Sequence, residues 1–341
     1  MAERGAGETA FFSKKGVSPQ KLLEKVNEKF MLYGYHKRRT MSGKEIYMND
    51  KIAIACDGAA DLGDLFEQRG IYYEPLTVIL GDRSGLDGKD ITPSDIFTYF
   101  DSTKKTPKTA AVEPERYAEL FDRLTAGGGE VIYICAASTK SSCYANAVSA
   151  AKGRGGVYVI DSYYLSTGIG LLALYADDLR RTGRYTAKEI AERVEARRAA
   201  VDLSLYVDNM TFLHKGGRCS GVTAFVASVL RLHISLRMHG EGELDVAGKY
   251  IGSSVRAMEK YARGVAESAK TPDPKYVFLV HTDVAREELD RIKAIFLGQH
   301  PKANIIEREA GGVITSHTGH NAFALIFFGD GGAGAADAEM A

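Results

Sequence analysis

Two α/β domains are what this sequence predicts, the first on a mostly parallel sheet flanked by helices, the second on a mixed sheet. Three observations lead there. From residue 51, short apolar runs alternate with helix-period segments, the rhythm of a parallel sheet covered on both faces. From about residue 184 the rhythm changes, and HISLRM and ELDVAGKY, joined by HGEG, read as an antiparallel hairpin. The length of 341 residues suffices for two domains sharing a cleft. The expected organisation is an N-terminal helical extension over 1–50, a first α/β domain over 51–183, a second α/β domain over 184–330 and a disordered tail over 331–341.

Composition removes several function classes. The 44 basic residues cancel the 44 acidic ones, so no net field favours nucleic acid or an anionic membrane. No stretch reaches the roughly eighteen apolar residues of a membrane span, and the N-terminus lacks the apolar core of a secretory signal, so a cytoplasmic location is expected. Cys56, Cys135, Cys143 and Cys219 form no CxxC pair; Cys56 and Cys135 sit in apolar runs and read as small buried hydrophobes.

In the extension, Ser18-Pro19 reads as N-cap and first helical residue, with Leu22, Leu23, Val26, Phe30 and Tyr33 on one face of a basic helix that continues toward His36-Lys37-Arg38-Arg39. IAIAC is the first strand of the regular pattern and ends at Asp57-Gly58-Ala59-Ala60-Asp61. YYEPLTVIL reads as one strand, 81–90 as a loop, and Thr92-Pro93-Ser94-Asp95 as a capping box opening a helix. A helix from about Pro114, strand VIYIC, strand VYVI ending at Asp161, and a helix over about 168–181 follow. Thr186 and Glu189 form a second capping box. Then come strand LSLYV, the glycine-broken loop HKGGRCSG, an apolar helix over 222–232, the hairpin, a helix over 255–268, strand KYVFLVH, a helix over 287–297, and strands at NIIER, GVITSH and ALIFF.

Residues 131–151, VIYICAASTKSSCYANAVSAA, pass from apolar strand through a hydroxyl-rich turn to a helix start. Unpaired N–H groups and the helix dipole make such a turn an anion site. In parallel sheets function gathers at the carboxyl ends of strands, where Asp57, Ser138 and Asp161 fall. Plain helix capping explains the serines equally well.

The order of motifs then resembles one family. CDGAADL resembles TDSTADLP, PKTAAVEPERYAELF resembles PKTSQPSPEEF, ASTKSSCYANA resembles SSKLSGTYQNA, FLHKGGRCS resembles YLKKGGRIS, and SHTGH resembles HTGPG, all landmarks of the DegV family of bacterial fatty-acid-binding proteins, over roughly 51–329. The resemblance implies a DegV-like fold and a non-enzymatic protein that binds one long-chain fatty acid or similar amphiphilic acid, its carboxylate between two domains and its chain buried. It implies no other cofactor, and in some members presentation of the acid to a separate fatty acid kinase. It places the carboxylate at Thr109, with Ala110 beside it, at Ser141, with Ser138 as the other candidate, and at His317. Leu213, Phe225, Val226, Val229, Leu230, Ile234 and Leu236 are candidates for the acyl tunnel, or ordinary core.

The sequence departs from the pattern at several points. Gly58, Ala110-Ala111-Val112, Ala137 and Ser142-Cys143 replace polar or glycine positions near the head group, and His320-Asn321 stands for Pro-Gly. His233-Ile234 stands for Lys-Pro, and Ile251 falls where many relatives carry an arginine used with the kinase, which puts phosphoryl transfer in doubt. Three rival readings remain. A lipid-ester serine hydrolase would use Ser138 or Ser141, His317 and Asp57 or Asp161, although no GxSxG elbow is present. His317 and His320 are close enough in sequence to share a metal, with no further carboxylate or cysteine nearby. A dinucleotide site lacks GxGxxG after the first strand.

Overall fold

The computed structural model describes residues 35–39, 45–49, 51–208, 210–219 and 232–333. Within the extension, β1 (Tyr35–Arg39) pairs antiparallel with β2 (Glu45–Asn49), so the basic run expected to continue a helix lies on a strand. The helix expected before it lies outside the described residues, as does the one expected over 222–232 apart from Leu232, which is already strand.

β3 (Ile52–Asp57), β4 (Tyr72–Glu74), β8 (Glu130–Cys135) and β9 (Val157–Asp161) form an all-parallel sheet in the order β4-β3-β8-β9. The expected single strand YYEPLTVIL is divided at Pro75. A proline has no N–H to give a ladder, and the chain resumes after it as β5 (Thr77–Leu80) in a separate sheet. There β5 pairs antiparallel with β6 (Arg83–Leu86), inside the stretch read as a loop, and with β7 (Lys108–Ala110). Gly81, at φ +66°, makes the tight turn between β5 and β6.

The helices of this half are α1 (Leu65–Arg69), α2 (Pro93–Thr103), α3 (Pro114–Thr125), α4 (Cys143–Ala151) and α5 (Thr167–Arg181). At the start of α2 the Thr92 hydroxyl accepts from the Asp95 N–H, and the Asp95 carboxylate accepts from the Thr92 N–H at 2.9 Å, the reciprocal bonds of a capping box. Thr186 and Glu189 repeat the device at α6 (Ala187–Arg197). Nearly every side chain of α5 is buried, because the helix lies between the parallel sheet and the sheet that follows. One core runs from Ile52 and Ile132 through Ile169 and Leu172 to Leu203 and Phe328. The expected boundary at 183 falls in a turn, yet α6 still packs on β8 and β9, and the chain enters the second sheet only at β10 (Val201–Val207).

That second sheet has the order β12-β11-β10-β15-β13-β14, from β10 (Val201–Val207), β11 (Leu232–His239), β12 (Glu243–Ile251), β13 (Val277–Thr282), β14 (Ile305–Glu309) and β15 (Ala322–Phe328). Only β13 and β14 run parallel; the other pairs are antiparallel, giving the mixed sheet expected, with β11 and β12 as its hairpin. Its helices are α7 (Met210–Gly216), α8 (Ser254–Ser268), α9 (Arg286–Gln299) and α10 (Gly312–Thr318). The GVITSH run, expected as a strand, is α10, and its first N–H groups are taken by carboxylates distant in the sequence. At the C-terminal end, Gly331 donates its N–H to Thr271 O at 2.7 Å, so the beginning of the expected disordered tail is tied down; residues 334–341 lie outside the described residues.

Candidate ligand cavity

A cavity of about 340 Å³ opens between the two halves, within the usual range for small-molecule sites of about 300–1,000 Å³. Its body is apolar: Leu203 and Leu205 on β10, Leu213 on α7, Met238 on β11, and Val313 and Ile314 on α10. Its polar end draws Thr109 from β7, Lys140, Ser141 and Ser142 from the turn before α4, Arg218 from the loop after α7, and His317 from α10. No Asp or Glu lines the cavity among the described residues.

Thr109 and His317, 208 positions apart, meet at 2.9 Å between Oγ1 and Nε2. Pairing of β7 with β5, Thr109 opposite Val78, fixes the threonine, while the last turn of α10 presents the imidazole. Burial, and then the charge of Arg218, push the His317 pKa down to about 4. The ring is therefore neutral near pH 7 and acts as a hydrogen-bonding group, not as a counter-ion. Its Nδ1 is buried and has no partner among the described residues. A Cβ on Gly216 would lie 2.5 Å from that nitrogen, so only glycine lets the α7 backbone pass the ring.

Ser141 accepts the Cys143 N–H at 3.3 Å, while Ser142, at the formal N-cap position of α4, makes no side-chain cap bond. The capping expected of Ser141 is thus present one residue out of register. Asn146 on α4 donates to Val112 O at 2.8 Å and ties this turn to the Thr109 segment. Ala110 lines the cavity beside Thr109.

Ser138 does not join them. Its N–H lies 3.2 Å from Asp161 Oδ1, its side chain is exposed, and it is absent from the cavity wall, so the strand-end carboxylate turns this residue outward. Asp57 is also elsewhere. It lies buried and accepts from the hydroxyls of Tyr117 (2.7 Å) and Tyr133 (2.9 Å) and from the Ala136 N–H (2.7 Å), while burial raises its pKa. Neither carboxylate is hydrogen-bonded to His317, whose partner is Thr109, so the hydrolase triad is not assembled. His320 donates Nδ1–H to the Asp283 carboxylate (2.7 Å) and stacks on Phe97, apart from the Thr109 contact of His317.

Of the tunnel candidates, Leu213 lines the cavity, Ile234 and Leu236 are buried in the core without reaching its wall, and Phe225, Val226, Val229 and Leu230 lie outside the described residues. His233 is fixed against Asp208 at 2.8 Å, and Ile251, 76% exposed, ends β12. All four cysteines are buried and unbridged; burial pushes the Cys56 and Cys135 thiols well up, in keeping with a packing role.

Lys140, Ser142 and Arg218 were not among the expected site residues. The landmark containing Arg218 was legible, but a glycine-flanked arginine in a loop carries no periodic signal for where it points. A second missed group borders the cavity at Ser166, whose hydroxyl donates to buried Asp61 at 2.6 Å. Both residues hold positive φ, 50° for Asp61 and 52° for Ser166, a conformation that costs about 1–3 kcal/mol for such residues and clusters at functional sites.

Comparison with known proteins agrees with this architecture. A family model described as an uncharacterised protein of the DegV family matches residues 51–330. A DegV domain-containing protein of Caldanaerobacter subterraneus is 29% identical over 285 residues, spanning 82% of this chain and 99% of the relative. A fatty-acid-binding DegV protein of Thermus thermophilus superimposes with a TM-score of 0.74 at 24% identity, covering 81% of this chain and 99% of the other. A DegV protein of Eubacterium eligens loaded with heptadecanoic acid gives 0.70 at 18% identity, with 81% and 99% covered.

Proposed function

The chain belongs to the DegV family, and on that premise we propose that it binds a long-chain fatty acid, with the carboxylate at Thr109, Ser141 and His317 and the chain in the apolar cavity. The observation that carries this is the cavity itself, whose leucine-rich walls end at a cluster of hydroxyls, a neutral imidazole and two cations, with no lining carboxylate among the described residues. A buried carboxylate needs donors for its oxygens. Thr109, Ser141 and Ser142 offer hydroxyls and α4 offers N–H groups, while Arg218 and Lys140 offset the charge.

The acyl chain supplies most of the affinity. Burying about fifteen methylenes at roughly 0.8 kcal/mol each gives on the order of 12 kcal/mol before ordering costs. The head-group contacts set orientation and select acids over neutral lipids. Relatives described as fatty-acid-binding, one carrying heptadecanoic acid, support the ligand class. The protein acts in this reading as a carrier.

Presentation to a kinase is the weaker side of the family pattern here. Ile251 stands exposed at the position where the family resemblance puts an arginine in many relatives, and we expect slow or no acyl-phosphate formation with a fatty acid kinase, restored in part by Ile251→Arg. Equal turnover in both proteins would show that this position is immaterial. Native mass spectrometry of freshly purified protein tests the binding itself: one bound fatty acid per chain is expected. Protein that is empty and takes up no added long-chain acid contradicts the proposal.

A further inference from the structure

The N-terminus of α10 is held by two carboxylates from the other half of the molecule. Asp61 Oδ1 accepts the Gly311 N–H at 2.9 Å, Asp87 Oδ1 accepts the Gly312 N–H at 2.6 Å, and Asp87 Oδ2 accepts the Val313 N–H at 3.0 Å. These are three consecutive donors. The glycine pair is required by the approach, since a Cβ at 312 would lie 2.6 Å from Asp87 Oδ1 and one at 311 would lie 3.1 Å from Asp61 Oδ1. Five residues beyond Gly312, the same short helix presents His317 to Thr109, and Val313 and Ile314 form cavity wall between them. The other oxygen of Asp61 takes the hydroxyl of Ser166, itself in the wall and in a strained backbone conformation.

We propose that Asp61 and Asp87 are positioning residues for the head-group site, gripping the opening turn of α10 so that His317 stays against Thr109. This rests on the fatty-acid reading above. The grip is strongest with both acids ionised, because charge-assisted bonds are roughly twice as strong as neutral ones. Burial, opposed by the Ser166 and Gly311 bonds and reinforced by the Asp87 charge, raises the Asp61 pKa to about 7. Asp87 is the charged group facing it. Arg308 on β14 is turned to Leu62 O at 3.1 Å and to Asp64 at 2.6 Å, and Ser166 and α10 bring no charge to it. Asp61 therefore changes charge near neutrality, and the site loosens as it takes up a proton.

The sign for stability is opposite. A carboxyl whose folded pKa lies above its ordinary value of 3.8 makes the folded state bind protons more readily than the unfolded one, so stability falls as pH rises toward about 7. Asp61 in its ionised form thus lowers global stability while it tightens α10. A merely structural residue would not separate the two.

The test is fatty-acid titration calorimetry from about pH 6 to pH 8 on wild type, Asp61→Asn and Gly312→Ala, with thermal unfolding in parallel. Wild type is expected to lose about five- to tenfold in affinity between the upper and lower pH beyond any loss in Asp61→Asn. Asp61→Asn should bind weakly throughout yet melt no lower than wild type at the upper pH. Gly312→Ala, which crowds Asp87 and leaves Asp61 titratable, should bind weakly with the wild-type pH dependence. Asp61→Asn with wild-type affinity and pH profile overturns the inference, as does a parallel fall of affinity and melting temperature. If Asp61→Asn does not fold, wild-type affinity in Gly312→Ala overturns it. Wild type that binds no acyl carboxylate at any pH removes the ligand reading, and this inference with it.

Discussion

Two polar clusters lie at joints between the halves of this protein, and they differ in whether their groups are satisfied. In the first, buried Asp177 on α5 takes Arg69 Nε and Arg181 Nε at 2.6 Å each and Arg180 at 2.6 Å, and Asp178 takes Arg69, Lys275 Nζ at 2.7 Å and the Tyr276 hydroxyl. Every charge there has a partner, and burial of Asp177 is outweighed by three guanidiniums that hold its pKa down. In the second, at the polar end of the cavity, among the described residues, Thr109 and His317 have only each other, His317 Nδ1 has no partner, and Ser142 makes no cap bond. Lys140 and Arg218 belong to a wall that holds no acid among the described residues. A saturated network holds a fold together; an unsaturated one of the same size is equipped to hold something else.

Breaking each cluster sharpens the contrast. The largest effect should come from Asp177→Ala, which leaves three arginines around an uncompensated site; we expect a loss of about 3–5 kcal/mol in denaturant unfolding, with the folded fraction still binding fatty acid at wild-type affinity. A comparable loss of affinity would show that the two clusters are not separable. Thr109→Val removes a head-group donor, and about tenfold weaker binding is expected, with stability changed by less than about 1 kcal/mol. A variant that instead unfolds easily would place the pair with the structural network.

Acid should distinguish the clusters next. His317 titrates at about 4 in the fold against 6.5 ordinarily, so the folded state binds this proton less readily than the unfolded chain. Its contribution is complete above about 6.5 and is lost as pH falls toward about 4, on the order of 3 kcal/mol at most. His317→Gln should therefore lose less stability than wild type over that interval; identical pH profiles would mean the ring is not held neutral by its surroundings. The smallest effect expected is for Ser141→Ala, about threefold in affinity and about 0.5–1 kcal/mol in stability from the lost bond to the Cys143 N–H.

Much of the scaffold is legible in sequence because its signals are local. Apolar runs mark the parallel strands, and Thr92/Asp95 and Thr186/Glu189 mark two helix starts within four residues each. What is misread depends on distant partners. GVITSH looks like a strand because Val313, Ile314 and Thr315 are β-branched, but the carboxylates that cap its start as a helix lie more than 220 residues away. The β5-β6-β7 sheet has strands of three or four residues, too short to show a period. At the site, residue types suggested both Ser138 and Ser141. Which of them faces the cavity is decided by Asp161, 23 positions beyond Ser138, and by the turn between the serines.

Titration of one long-chain fatty acid against its methyl ester of equal chain length tests most directly whether the unsaturated mouth is a carboxylate site. The apolar body treats the two alike; only the mouth distinguishes them. The acid is expected to bind at least about tenfold more tightly, with the preference shrinking in Thr109→Val. Equal affinity for acid and ester would mean that Thr109, Ser141 and His317 do not hold the head group.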